Sequence, residues 1–485
     1  MNKIMLVIGL FVFGQFQCAA QSVTRLGLTD VIEKARNQSP ASKQAETRKK
    51  NRYWQYKLYK SNYNPQLALS GNVPGYNRDF LSNRIDDGTI LFQDREQLSS
   101  NLNLGLNQPI GLTGGSVSIN SGVNYFSDLN QDLTRYSSTL FNIQLNQPIF
   151  GFNDLKWDKR TEPLRYEESL RSYVEEMELV SREAASFFFN FLDAQINYEI
   201  AEFNQLNNDT IFKIEEGRYN IGTTSKDKLL QVELQLLRSQ QDVVQAQLDL
   251  ETASQQLRAY LGLQTNDTLK LTIPETVPEF DIPIQEAITF AKLNRADYLA
   301  FERRRLEAER EVSQARAQRV EANLVASFGL NNAADQFQDV SNNPNNQQRF
   351  DLSLVVPILD WGRNKARIET ALANKELNDY VIDQDIQNFE QEILTLVRRF
   401  QVLRSQLKIS KKSDQVADER YRVAQNRYLT GKVDITNLNI ALTEKDQAKR
   451  SYVNSLRDFW VAYFDLRRLT LYDFANNQLL YDSSK

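Results

Sequence analysis

The sequence predicts an α+β fold. A β-barrel shared between protomers is joined to long α-helical coiled-coil rods, and the whole is built from an internal two-fold repeat. Three observations carry this prediction. The chain repeats itself at a constant offset. Two segments of more than sixty residues have helical composition and almost no breakers. Several segments of about ten residues alternate apolar side chains with Asn, Gln, Ser and Gly.

The repeat is read from short matches. Gln147-Pro148-Ile149 corresponds to Val356-Pro357-Ile358, and Arg218-Tyr219-Asn220-Ile221-Gly222 to Arg427-Tyr428-Leu429-Thr430-Gly431. All lie 209 residues apart (357 − 148, 428 − 219, 431 − 222). The copies also begin alike, at Leu28-Thr29-Asp30-Val31-Ile32 and Ile284-Gln285-Glu286-Ala287-Ile288, with an offset of 256 (284 − 28). The first copy is therefore longer by 47 residues (256 − 209), somewhere between about residues 65 and 147.

Residues 1–20 read as a cleaved signal peptide. Lys3 supplies a positive start, Ile4 to Phe13 an apolar run, and Cys18-Ala19-Ala20 small residues before a cut ahead of Gln21. The run is too short to span a bilayer. Acylation of Cys18 is the other reading, disfavoured by the preceding Gln15-Phe16-Gln17. A cut after Ala20 leaves no cysteine, so an exported chain must be held by packing or by assembly with other chains.

Residues 21–262 form the first structural repeat. It holds a helix at about 28–62, strands at about 66–149, a long helix at 153–216, a tip turn at 217–225 and a helix at 224–262. An equatorial linker follows at 263–283, with Pro274, Pro278, Pro283 and one short strand at 269–273. Residues 284–472 form the second repeat, with helices at about 284–320, 362–427 and 434–472, strands at about 324–357 and a tip turn at 427–434. Residues 473–485 are a C-terminal tail. At ~1.5 Å per residue the long segments make rods of roughly 100 Å. Leu438, Leu442, Tyr452, Leu456, Phe459, Tyr463 and Leu466 form a coiled-coil stripe, interrupted by Lys445 and Lys449. Leu230, Leu234, Leu237, Val244 and Leu248 do the same in the first copy.

Strands such as Leu98–Ile110, Ser116–Tyr125 and Thr139–Ile149 have one apolar and one polar face. That suits a tilted strand between lipid and a wet lumen. The second copy offers two such strands and the first two to four, whereas about eight are needed to close a membrane barrel. Several identical chains must therefore share one barrel, because strand edges cannot stay open in lipid. Residues 77–97 and 333–348 read as polar loops, and 111–115 as a tight turn.

Composition narrows the function. The chain has no histidine, which removes the commonest general base and transition-metal ligand. A net charge of −4 does not suggest nucleic-acid binding. Gly222 and Gly431 end the long helices, where a left-handed cap favours glycine. Thr223, Thr224 and Ser225 can cap the next helix, and Asp434 can do so in the second copy. Two ordinary helical-hairpin turns are the plain alternative. Pro148, Pro357 and Gly362 mark the strand-to-helix junctions.

This combination resembles the TolC-like outer-membrane factor (outer membrane efflux protein) family over essentially the whole mature chain. The most specific elements are the Arg-Tyr-x-x-Gly turns at 218–222 and 427–431, followed by the Pro-Ile strand ends at 147–149 and 356–358. The resemblance implies a homotrimer with its barrel in outer-membrane lipid and its helical tunnel in the periplasm. It implies a passive conduit of tripartite efflux or type I secretion, for drugs or other exported cargo. Its partners would be a periplasmic adaptor (membrane fusion) protein and an inner-membrane transporter. No enzyme activity, cofactor, metal or nucleic acid is implied. The tip residues Arg218, Tyr219, Gly222, Thr223, Thr224, Ser225, Asp227, Arg427, Tyr428, Gly431, Lys432, Asp434 and Asn437 become the gate and adaptor contacts. Tyr428 matches a tyrosine that helps hold the family's gate shut.

The chain departs from the family pattern twice. Where some members carry an aspartate ring, this one has Asn437 and Ile440, with Lys228 and Gln231 in the first copy, so acidity is absent or moved to Asp434 and Asp227. The 47-residue excess can add a hairpin, making twelve strands per trimer with four per chain or eighteen with six. Four is the expectation, with the extra hairpin beyond the membrane. An exported coiled-coil stalk or adhesin is the alternative, but it predicts no alternating strands.

Overall fold

The computed structural model describes residues 23–263 and 268–481, and the expected signal peptide lies outside them. The first copy contains β1 (Val23–Leu26), α1 (Leu28–Gln38), α2 (Pro40–Ser61), β2 (Gln66–Arg84), β3 (Ile90–Ile110), β4 (Gly115–Asp128), β5 (Leu133–Pro148), α3 (Asp154–Asn220) and α4 (Lys226–Leu261). Then come β6 (Thr268–Leu271), α5 (Ile284–Asn294), α6 (Ala296–Ala317), β7 (Glu321–Ala334), β8 (Asn345–Val355), α7 (Arg363–Leu429), α8 (Ile435–Thr470), β9 (Tyr472–Asp473) and β10 (Gln478–Leu479).

The first helix of each copy is broken where the sequence suggests one continuous helix. Ser39 is extended before Pro40, and its hydroxyl accepts from the Ser42 amide at 3.1 Å, starting a new helix. The second copy breaks at Arg295, 256 residues on, without a proline. Both long helices run for 67 residues, and Pro163 does not end α3.

The chain divides into two units that cut across the copies. One holds residues 46–174 and 285–394. Its six-stranded sheet is antiparallel throughout, in the order β2-β3-β4-β5-β7-β8. Six strands replace the expected four. The stretch 77–97, expected as a loop, is mostly strand. The polar side chains that suggested a loop pair across the hairpin, with Tyr76 donating to Glu96 at 2.6 Å and Arg78 to Asp94 at 3.1 Å.

Register makes the two faces explicit, because directly paired residues share a face. One row reads Leu67, Leu106, Ile119, Ile143 and Phe328, ending at Gln348. The neighbouring row, on the opposite face, reads Gln66, Asn107, Ser118, Gln144, Ser327 and Arg349. The outer edges of β2 and β8 have no partner strand in this sheet. In the same unit, α3 and α6 are linked in antiparallel register. Arg310 pairs with Asp158 at 2.9 Å, Arg165 with Glu307 at 2.6 Å and Arg303 with Glu168 at 2.6 Å.

The other unit comprises, among the described residues, 23–45, 175–263, 268–284 and 395–481. β1 pairs parallel with β6, a pairing the sequence did not announce. The core includes Phe188, Phe189, Leu192, Leu257, Phe400 and Leu456, all essentially without exposed surface. Beside it lies a buried charge network. Glu178 is fully buried and receives Arg36 Nη1 at 2.8 Å and Arg467 Nη2 at 3.1 Å. Arg467 Nη1 also reaches Asp473 at 3.1 Å, and Tyr463 donates its hydroxyl to the same carboxylate at 2.9 Å. Asp473 thereby anchors the small β9–β10 hairpin within the expected tail.

Candidate functional site

The two helical tips have the same backbone geometry, 209 residues apart. Gly222 (φ +76°) donates to Tyr219 O at 2.9 Å, and Thr223 N donates to Arg218 O at 2.8 Å. Gly431 (φ +72°) donates to Tyr428 O at 3.0 Å, and Lys432 N to Arg427 O at 2.9 Å. This pair of bonds is the Schellman arrangement, which satisfies the last carbonyls of a helix. No atom lies within 4 Å of where a side chain would start at either glycine, so glycine is needed for its backbone alone. Gly222→Ala or Gly431→Ala is expected to destabilise its tip by about 1–2 kcal/mol, read as faster amide exchange across the turn.

The next helix is capped in the same way in both copies. Ser225 Oγ accepts from Lys228 N at 3.4 Å, and Asp434 Oδ1 from Asn437 N at 3.0 Å and Nδ2 at 2.8 Å. These bonds hold the Asp434 carboxyl below its usual range. Of the candidate caps, Ser225 takes the role. Thr223 Oγ1 turns back to Arg218 O at 3.0 Å, and Thr224 bonds Glu215. Asp227, Lys432, Asn437 and Arg427 lie exposed around the turns.

The copies differ in their tyrosines. Tyr219 is 39% exposed, whereas Tyr428 is 3% exposed, in a cluster with Ile211, Val232, Tyr421, Ile435 and Leu438. Its hydroxyl donates to Glu215 Oε1 at 2.8 Å. Arg218 Nη1 donates to the same oxygen at 2.6 Å, and its guanidinium lies 5.5 Å from the centre of the Tyr428 ring. Burial works against the Glu215 charge, but bonds from Tyr428, Arg218 and Thr224 outweigh it and hold the carboxyl below its usual range. Burial and the bond to Glu215 push the Tyr428 hydroxyl up. The link ties the α3–α4 tip to the α7–α8 tip.

Glu215 was not among the sequence candidates. Its counterpart 209 residues on is Ala424, and that difference between the copies is the signal that marks it. Lys445, read as an interruption of the α8 stripe, packs instead with its ammonium 4.1 Å from the Phe203 ring centre and 4.7 Å from that of Tyr421.

In the sheet-bearing unit, Pro148 ends β5 opposite Asn323, and Pro357 follows β8. Asn153 Oδ1 accepts from Lys156 N at 3.0 Å and so caps α3. Asp360 caps α7 through Asn364 N at 3.0 Å, across Gly362 at φ +86°. Ile149, Phe150, Leu359 and Trp361, the last 90% exposed, leave an apolar collar at these junctions.

The sheet of one unit presents an apolar and a polar face with unpaired edges, and in the other unit the two helical tips are linked. The profile of the outer membrane efflux protein family matches residues 31–263 and 287–470, and the chain belongs to that family. It is an outer-membrane channel for efflux, and nothing supports the alternative of a stalk or adhesin. Solved structures share its fold. The CmeC outer membrane channel of Campylobacter jejuni is 15% identical, with a TM-score of 0.66 over 94% of this chain and 87% of that one. The outer membrane protein VceC of Vibrio cholerae is 16% identical, with 0.61 over 91% and 95%. The open state of the MtrE outer membrane channel of Neisseria gonorrhoeae is 16% identical, with 0.55 over 91% and 88%. None of the curated proteins matches the chain.

Proposed function

We propose that three copies of the chain form the channel, and that the tips are its periplasmic entrance and the dock of a periplasmic adaptor serving an inner-membrane transporter. The observation that carries the assembly is a pair of uncovered coiled-coil stripes. On α8 the predicted stripe is buried within the chain. On α4, Leu230, Leu234, Leu237, Val244 and Leu248 remain 50–70% exposed, and on α7 Val402, Ile409, Val416 and Val423 are similarly bare at seven-residue spacing. α4 leaves its tip turn and α7 enters its own. Packing one copy's α4 against the next copy's α7 covers both stripes and closes a ring head to tail. Three is the number the family resemblance implies.

The linked tips support a gate. Tyr428, Glu215 and Arg218 join the two hairpins in the closed state, and opening breaks that link. The apolar sheet face and the junction collar suit outer-membrane lipid, reached after cleavage of residues 1–20. The conduit itself is passive. Its cargo, drug or exported polypeptide, is selected and driven by the transporter, and no cofactor takes part. Gly431→Pro and Lys432→Glu alter the tip without touching either stripe. Each is expected to reduce in-cell cross-linking to the adaptor at least tenfold while the trimer persists. Unchanged cross-linking would remove the tips from the docking surface.

A further inference from the structure

We infer that the extra length of the first copy is a full wall hairpin, so that each chain contributes six strands and three chains close an eighteen-stranded barrel. The inference rests on the channel reading above and adds the composition and width of the wall. The offsets align β2 with β7 and β5 with β8. The surplus is then β3 and β4 with their turns, residues 85–132, close to the 47-residue excess.

Three observations place this hairpin in the wall instead of outside the membrane. It lies between β2 and β5 in an unbroken meander, so removing it would leave those two strands without the partners they have. Its turn faces the helices: Asn153, the cap of α3, donates to Gly111 O and Leu112 O at 3.1 Å each. The two faces also run through it in register. Leu106 and Ile119 continue the apolar row, and Asn107 and Ser118 continue the polar one. A hairpin standing in water on both sides has no need of that alternation.

Strands about 4.8 Å apart and tilted by about 40° give a barrel of eighteen a backbone diameter of roughly 36 Å, against roughly 24 Å for twelve. The cross-section rises about 2.3-fold.

The test is spin-label accessibility in proteoliposomes, using single cysteines at Asn107, Ser118, Ile119, Ile143 and Gln144 in a Cys18→Ala background. Ile143 and Gln144 lie on β5, a wall strand under any count, and serve as the reference. The expected result is oxygen-accessible labels at Ile119 and Ile143 and water-soluble nickel access at Asn107, Ser118 and Gln144, the preference reversing between adjacent residues in both strands. If Ile143 and Gln144 alternate while Ser118 and Ile119 are equally open to water, the hairpin lies outside the membrane and the inference falls, with the channel reading intact. If Ile143 and Gln144 do not alternate either, the barrel reading fails and takes the inference with it.

Discussion

Arg467→Leu is expected to cost the folded chain about 3–5 kcal/mol, the usual penalty for breaking a buried ion pair from one side. Glu178 is fully buried and would keep only Arg36, while Asp473 would lose the guanidinium that holds it against the last turn of α8. The loss should appear as a lower midpoint for thermal unfolding, with the β9–β10 hairpin becoming protease-sensitive first. Glu178→Gln in the same background should recover part of the loss, because it removes a buried carboxylate left with one cation instead of two. An unchanged midpoint for Arg467→Leu would mean that the network contributes nothing net.

Glu215→Ala is expected to release the tip. The carboxylate accepts from Tyr428 and Arg218 and also bonds Thr224, and hydrogen bonds to a charged group contribute about 1.5–3 kcal/mol each. A closed state weakened by roughly 2–4 kcal/mol shifts the open-to-closed ratio by about 30- to 1000-fold, which single-channel recording reads as open probability. The pH dependence has a definite sign. Glu215 has a folded-state pKa below its ordinary 4.5, so its contribution is fully present above that value and is lost as pH falls through the depressed pKa. The wild-type tip should therefore loosen in acid, and Glu215→Gln should abolish that response.

Much of this was legible in the sequence, for reasons that can be named. Period-two alternation located the strands, because a membrane wall needs an apolar and a polar face. The Arg-Tyr-x-x-Gly repeat located the tips, because a helix ending in a left-handed residue favours glycine. What escaped depended on pairing between distant segments. The β1–β6 ladder joins residues 23–26 to 268–271, and no local pattern reports it. Charged stretches of β2 and β3 looked like loops because Arg78 and Asp94 satisfy each other only across the hairpin. The breaks at Ser39 and Arg295 were both read through as continuous helix, and the one at Arg295 carries no proline to mark it. Glu215 looked like one more acidic residue on a helix, and only the fold brings Tyr428, 213 residues away, onto it.

The most direct test of the channel account is single-channel recording of the purified protein in a planar bilayer, with oligomer mass measured on the same preparation. The account predicts a trimer that is mostly closed in the wild type and opens to large, discrete conductances when Glu215 is replaced by alanine. A stable monomer that conducts neither as wild type nor as Glu215→Ala would contradict it.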